Sequence, residues 1–541
     1  MKKSPVIYIC IYTIWILSLS ILIWHCVSNS INAFNNCNEL WKNIVLIISL
    51  VVIDSSLAYF WLNSIKDFIY TLVFVMRKKS IMKKYDEIYK IDITQKENPK
   101  FVLLYCTCND FNGEALKTCM NQDYDNFKVV ILDDSSKEEY KTLIDEFSKE
   151  NNVEVVRREI KKGFKAGNLN NYLNNNKDYD YFVILDSDEI IPSDFIKKSL
   201  KYFYYSDKIG VVQASHNATK GENCFQSVLG MSIDSTSKTV QIMKNFYGAN
   251  AIIGHGVAIS KECFENIKNG FPLVVAEDIS FAIEVKEAGY EIVYAPDIDC
   301  KEDFPENYIC LKKRQCKWTQ GNVEYMRKYS HEIKNSKMRW FEKEDIKLSH
   351  YSLPLVPILS FLIVTFTMII GFMGFNLIDY AKIIFIISMI FLLSPLFPSI
   401  FIFGKTKHFW KIPIYYITSM ITYASLAPMM IKTSIATFLG KKATFIVTPK
   451  GMKSKTSVWT AFRYTFDSVI FGLVIGVLTY FSWNSLVPSI ILTSGCVLAP
   501  FIALMSNIKI KRKAKALNEN KKSIENLEYE IHCIDKLENE T

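Results

Sequence analysis

The run Tyr181-Phe182-Val183-Ile184-Leu185-Asp186-Ser187-Asp188 decides how the chain is read. Apolar, aromatic and β-branched residues over 181–185 have the length of a buried strand, and two carboxylates separated by one residue follow at once. An Asp-x-Asp pair alone is weak, because turns favour aspartate for local hydrogen bonding. Its place directly after a strand gives it weight. Oxygen ligands at this spacing suit a hard cation, Mg2+ or Mn2+, which can clamp a diphosphate and offset the charge that develops as it leaves. Asp186 and Asp188 are therefore the candidate metal ligands.

Working outward, residues 101–105, 128–132 and 153–156 are further short apolar or β-branched runs, with helical patterns between them. Strand alternating with helix predicts a mainly parallel sheet covered on both faces, in which ligands collect at the carboxyl ends of strands. Asp133 and Asp134 follow the 128–132 run. A carboxylate there can accept from a base N–H or a ribose hydroxyl, and it would serve equally as a helix cap or turn. The stretch Lys162-Gly-Phe-Lys165-Ala-Gly-Asn-Leu-Asn170 is basic and glycine-containing, able to approach phosphate closely but unspecific by itself. Glu277 and Asp278 open an amphipathic stretch at 279–287, where acids also suit a helix N-terminus.

Around this polar block the chain is apolar. Half of its 541 residues are hydrophobic, and runs of spanning length occur at 5–27, 44–62, 353–375, 381–403, 464–483 and 487–505. The first resembles a secretory signal but is too long for one and lacks a clear cleavage site, so an uncleaved anchor is expected. Lys2 and Lys3 before the first run, and Arg77, Lys78, Lys79, Lys83 and Lys84 after the second, belong in the cytoplasm, so the polar block that follows is expected to be cytoplasmic, with 29–38 outside. Segment 412–430 is also apolar enough to span. Counting it would place the lysine-rich 441–455 region on the outer side, so with Pro413 and Pro428 it is read as interfacial or re-entrant. The expected units are two transmembrane helices in 1–77, a cytoplasmic domain in 78–350, transmembrane and interfacial helices in 351–440, a loop in 441–456, two more transmembrane helices in 457–507 and a charged cytoplasmic tail in 508–541. Asp54, inside the second run, should face other helices or a wet channel.

The net charge of +9 comes from Lys and Arg beside the apolar runs, which favours a lipid-bilayer partner over nucleic acid. The 13 cysteines include no Cys-x-x-Cys pair, and some, like Cys106 and Cys108, fall on or beside a buried strand, so neither a disulfide framework nor a zinc site is expected.

The ordered set Asp133-Asp134, Lys165-Ala-Gly-Asn, Asp186-Ser-Asp188, Ala276-Glu277-Asp278 and Arg314-Gln-Cys-Lys317-Trp318 resembles the inverting, membrane-integrated, processive family 2 glycosyltransferases, such as cellulose synthase, hyaluronan synthase and the periplasmic glucan synthases. The likeness runs over about residues 101–451. It implies an α/β, GT-A-like cytoplasmic domain with a mainly parallel sheet, inserted between transmembrane helices of the cell membrane. It also implies a UDP-sugar donor, Mg2+ or Mn2+, and a growing β-linked glycan acceptor that crosses the membrane. By the same resemblance Asp133 and Asp134 contact uridine, Lys165 the diphosphate, Asp186 the nucleotide and, with Asp188, the metal. Asp278 is the general base that takes the acceptor hydroxyl's proton. Glu277 tunes or replaces it. Trp318 stacks on a sugar face, and Arg314 and Lys317 meet pyrophosphate or acceptor.

The family's usual Gln-x-x-Arg-Trp departs here to Arg314 and Lys317, and lysine loses the bidentate fork. This puts the polymer's identity in doubt. Phe445-Ile-Val-Thr448-Pro-Lys450-Gly451 resembles the gating loop of cellulose synthases, with Thr448 and Lys450 as donors to phosphate. Gly254-His255-Gly256 falls where the family has acceptor-side residues, although such a histidine is as readily structural. Two other readings share these features: a non-processive transferase acting on a lipid-linked acceptor, and a transporter whose cytoplasmic domain only binds nucleotide. Binding alone has no need of Asp278.

Overall fold

Along β1 (Phe101–Thr107) successive side chains enter two different cores, the period of two expected of a strand buried on both faces. Phe101, Leu103 and Tyr105 face one layer, and Val102 and Leu104 the other. The computed structural model describes residues 3–94, 98–219, 221–375, 380–394, 396–404, 409–444 and 455–509. Within these, β1 belongs to a seven-stranded sheet with β2 (Phe127–Asp133), β3 (Glu154–Val156), β4 (Tyr181–Leu185), β5 (Ile209–Ala218), β6 (Val257–Ser260) and β7 (Glu291–Glu302).

The order is β3-β2-β1-β4-β6-β5-β7. The strands β3, β2, β1 and β4 are mutually parallel, β6 runs antiparallel between β4 and β5, and β7 is parallel to β5. This is the expected α/β, GT-A-like sheet, mainly parallel. Because β1 pairs with β2 on one side and β4 on the other, the chain reverses direction across the sheet at β1, and a crevice opens at the carboxyl ends of these strands. Asp133, Asp134, Asp186 and Asp188 all stand at that edge.

Among the described residues, six helices are long and apolar enough to cross a bilayer: Val6–Asn36, Leu40–Tyr89, Ser352–Phe372, Lys411–Phe438, Val458–Trp483 and Val487–Asn507. Large apolar side chains such as Leu17, Val477 and Phe481 point outward from them, as lipid contact requires.

Two sequence expectations are corrected here. Segment 381–403 is not one helix: Tyr380–Leu392 and Leu396–Phe403 are separated by a turn at Leu393 and Ser394, and neither piece reaches the ~20 residues a span needs. Ser394 precedes Pro395, and a residue before proline is disfavoured in the helical region. Conversely, Lys411–Phe438 is one continuous helix of 28 residues. Pro413 falls in its first turn, where the N–H has no intrahelical partner to lose, and Pro428 is accommodated inside it. The two segments exchange roles, so the number of helices long and apolar enough to span stays six among the described residues.

The membrane helices interlock with the sheet domain through buried polar contacts. Lys3 Nζ donates to Glu342 Oε1 at 2.7 Å and to the Gly248 carbonyl at 2.8 Å. Tyr8 hydroxyl donates to Asp345 Oδ1 at 2.6 Å, Tyr70 lies beside the same carboxylate, and the Ala249 N–H donates to Asp345 Oδ2 at 2.9 Å. Asp54 faces a neighbouring helix, as expected: both its oxygens lie 3.1 Å from His25 Nδ1.

Candidate active site

A cavity of about 2150 Å³ opens over the carboxyl ends of β1, β2 and β4. Its walls include Asp134, Lys165, Asp186, Asp188, Glu277, Asp278, Arg314, Lys317 and Trp318. Nine of the sequence-predicted residues thus border one space. Thr448 and Lys450 lie outside the described residues. Asp133 does not border the cavity: its buried carboxylate accepts from the Ser135 N–H at 2.7 Å and from Arg157 Nε at 2.6 Å. It holds the β2 terminus rather than facing a ligand.

The donor-side charges are compensated. Arg158 grips Asp134 with two parallel bonds, Nε to Oδ1 at 2.9 Å and Nη2 to Oδ2 at 2.5 Å, the bidentate geometry only arginine provides. Lys161 Nζ donates to the carbonyls of Asp134 at 2.9 Å and Ser135 at 2.7 Å. Lys165, on the first turn of the helix Phe164–Asn175, donates to Asp186 Oδ1 and, at 2.8 Å, to the Gly254 carbonyl. Burial opposes charge on Lys165, but the Asp186 carboxylate outweighs it and holds the ammonium well above its ordinary range.

Gly254 joins the two sides of the cavity. Its φ is +95°, a left-handed conformation suited to glycine, and a Cβ there would stand 3.0 Å from Asp278 Oδ2. The backbone that receives Lys165 is therefore packed against the candidate base. Glu277 and Asp278 begin the helix Glu277–Glu287, where the dipole favours acids, yet burial raises the proton affinity of both. For Glu277 the adjacent Asp278 charge adds to the effect.

On the helix Tyr308–Asn335, the Arg314 guanidinium is sandwiched between the rings of Phe304 and Trp318, 4.8 and 4.5 Å from their centroids. Trp318 remains 43% exposed, so one face of its ring is open to the cavity. The same helix holds the start of the 441–456 stretch, since the Thr444 N–H donates to Gln320 Oε1 at 3.0 Å.

Sequence reasoning missed Arg157, Arg158 and Lys161, although a basic cluster immediately after the 153–156 run was the signal. It also left His255 undecided. In the structure His255 sits between Glu189 on Nδ1 and Glu302 on Nε2, the latter at 3.2 Å. Burial disfavours the imidazolium, but these carboxylates hold it protonated well above its usual range, and Glu302 in turn, despite its own burial, is drawn down to about 2.

As a donor set, Asp186 and Asp188 fit a hard divalent ion: all oxygen, one residue apart, on the wall of a polar cavity beside a lysine.

Comparison with known proteins agrees in class. Residues 102–321 match the family described as glycosyltransferase like family 2. Two rice (Oryza sativa subsp. japonica) proteins, probable glucomannan 4-beta-mannosyltransferases 4 and 2, are each 28% identical over 254 residues, covering 44% of this chain. The matches span 46% and 43% of those relatives, less than half of either. Among solved structures, a mannosyltransferase from Pyrobaculum calidifontis in complex with GDP-Man and Mn2+ is similar at 17% identity and a TM-score of 0.47, over 72% of this chain and 100% of its own.

Proposed function

We propose that this protein is an inverting hexosyltransferase that uses a nucleoside-diphosphate sugar to extend a β-linked glycan and passes the product into the membrane. The observation that carries the reading is the continuity of the cavity. From Asp134, Lys165, Asp186 and Asp188 it runs past Asp278 and Trp318 and on between the apolar helices to Val364, Pro488 and Leu492.

In this reading Asp134 and Arg158 border the nucleoside, and Lys165 meets the diphosphate. Asp186 and Asp188 hold Mg2+ or Mn2+, which offsets the negative charge of the departing diphosphate. Asp278 takes the proton of the acceptor hydroxyl, and the raised proton affinity that burial confers makes it a stronger base. Glu277 shares the same buried pocket and supports that role. Trp318 offers its open face to the last sugar of the acceptor. The positively charged flanks support a cytoplasmic domain in a multi-pass protein of the cell membrane.

The donor expected from the sequence is a UDP-sugar. The rice relatives are named as mannosyltransferases, which sets a mannose donor such as GDP-mannose beside it. Purified full-length protein in lipid vesicles, given labelled UDP-glucose, UDP-N-acetylglucosamine and GDP-mannose with Mg2+ or Mn2+, should incorporate label from one of them into a product that lengthens with time. Transfer of a single sugar to lipid would replace the processive reading. No incorporation from any nucleotide-sugar would overturn the function altogether.

A further inference from the structure

Beside the donor-site loop, with His216 and His255 on the wall of the same cavity, three unlike side chains with no role in the reading above converge from different elements. Glu189 follows the Asp186-Ser-Asp188 turn, His216 lies on β5, and His255 precedes β6; one ligand atom from each falls within 4.8 Å of the others. The two imidazoles stack with centroids 4.5 Å apart and planes 6° from parallel. Glu189 is 1% and His216 2% exposed.

A simple imidazole–carboxylate contact accounts for His255 and Glu189 Oε2. It leaves Glu189 Oε1 and His216 Nε2 without a hydrogen-bond partner among the described residues. Those two atoms face each other at 3.6 Å, beyond hydrogen-bond range. Buried polar atoms are otherwise almost always satisfied, so the pair calls for a ligand.

Two further facts say what kind. Cys300 on β7 is in register with His216 across the parallel β5/β7 pair, and is fully buried against the same carboxylate. Gly256, with φ of +56°, keeps the space between these groups open: a Cβ there would stand 2.6 Å from His216 Nε2, 2.7 Å from Glu189 Oε1 and 3.2 Å from Cys300 Sγ. Three donor atoms thus point at one small volume that only glycine leaves free.

We propose that Glu189, His216, His255 and Cys300 bind a zinc ion at a four-ligand site on the cavity wall. Two imidazole nitrogens, one carboxylate and one thiolate form a borderline-soft set that suits Zn2+ and not Mg2+, and four protein ligands mark a structural ion. Cysteine spacing could not reveal it, because its ligands come one each from four separate segments. The ion would take the place of the proton that His255 Nδ1 holds against Glu189, and its binding would release that proton together with the Cys300 thiol proton. It would fasten the turn carrying Asp188, the loop whose Gly254 carbonyl receives Lys165, and the strands β5 and β7. His255 and Glu302 would then be its supporting pair, with the carboxylate accepting from Nε2–H and orienting the ligated ring.

The test uses full-length protein purified in detergent, dialysed against Mg2+ with a weak chelator and analysed by plasma mass spectrometry. About one zinc ion per chain is expected. It should fall at least ~10-fold in His216→Asn and in Cys300→Ser, in keeping with loss of a ligand, and persist in Asp186→Asn. Cobalt exchanged into the site should give a thiolate-to-metal charge-transfer band that disappears in Cys300→Ser, a near-isosteric change that keeps the reading decisive if His216→Asn does not fold. Absence of stoichiometric metal from folded wild-type protein, or zinc unchanged by Cys300→Ser, would overturn the site. Loss of the ion in Asp186→Asn would move it to the donor pair and equally refute the assignment. These readouts are metal content and spectrum, so they stand or fall apart from glycosyl transfer.

Discussion

The two walls of the cavity handle charge in opposite ways. At the strand ends Asp134 meets Arg158 and Asp186 meets Lys165. At the helix end Glu277 and Asp278 stand half-buried side by side, and desolvation raises the proton affinity of both even though Lys165 and Lys317 pull the other way. A paired wall holds a fixed pattern of charge into which an anionic ligand and its cation can settle. The crowded acidic wall keeps a carboxylate whose appetite for a proton is enhanced, and that is what proton abstraction demands.

The contrast breaks most visibly at Asp278. Asp278→Asn should lower transfer by about 10²- to 10⁴-fold, the range for loss of a general base, while nucleotide affinity changes little. Loss of both together, in turnover and equilibrium binding assays, would place Asp278 on the donor wall instead. Asp186→Ala should do the reverse and weaken cation-dependent donor binding by about 100-fold, measured by titration calorimetry with and without Mn2+.

A pH profile sharpens the comparison. The base acts deprotonated and its proton affinity is raised, so the rate should be low in acid. It should climb through a midpoint above the ordinary carboxylate values of about 4. A midpoint at or below that range would mean the helix-end acids are not suppressed by burial. Arg158→Lys keeps the charge but loses the fork to Asp134; a rise in donor KM of about 10-fold is expected, with kcat less affected, consistent with ~1.5 kcal/mol for a charged hydrogen bond. Smallest of all, Trp318→Ala should slow elongation by about 2- to 10-fold, from ~0.5–1.5 kcal/mol of ring contact, with donor hydrolysis nearly unchanged. Equal loss of both activities would deny Trp318 its place at the acceptor.

Legibility of the chain followed the same division. The strands β1, β2 and β4 carry near-continuous apolar runs, because both their faces are covered, and their ends, like those of the short edge strand β3, could be located to within a residue or two. β5 and β7 were not visible as strands: Gln213, Ser215 and His216 are buried polar residues on β5, and Pro296, Asp297 and Asp299 break the pattern on β7. Those interruptions exist because the strands reach the polar centre of the molecule. Asp134, Lys165, Asp186, Asp188 and Asp278 were legible because each follows a strand or opens a helix. Arg158, the partner of Asp134, and Glu189 and Glu302, the partners of His255, were not, since a salt bridge between distant segments leaves no periodic trace. The mistaken reading of 412–430 came from treating two prolines as breaks, when one lies in a helical first turn and the other is tolerated among neighbouring helices.

Asp345 has a consequence for how the molecule can be divided. Its carboxylate, in the soluble block, is satisfied by Tyr8 and lies beside Tyr70, both on the amino-terminal membrane helices, while its other oxygen orders the Ala249 backbone a few residues from His255. Excising 78–350 as a free domain would leave this buried carboxylate to Lys244 and the Ala249 N–H alone, without the two tyrosines that complete its shell. The hydrophobic helices thus complete the fold of the sheet domain as well as flanking it.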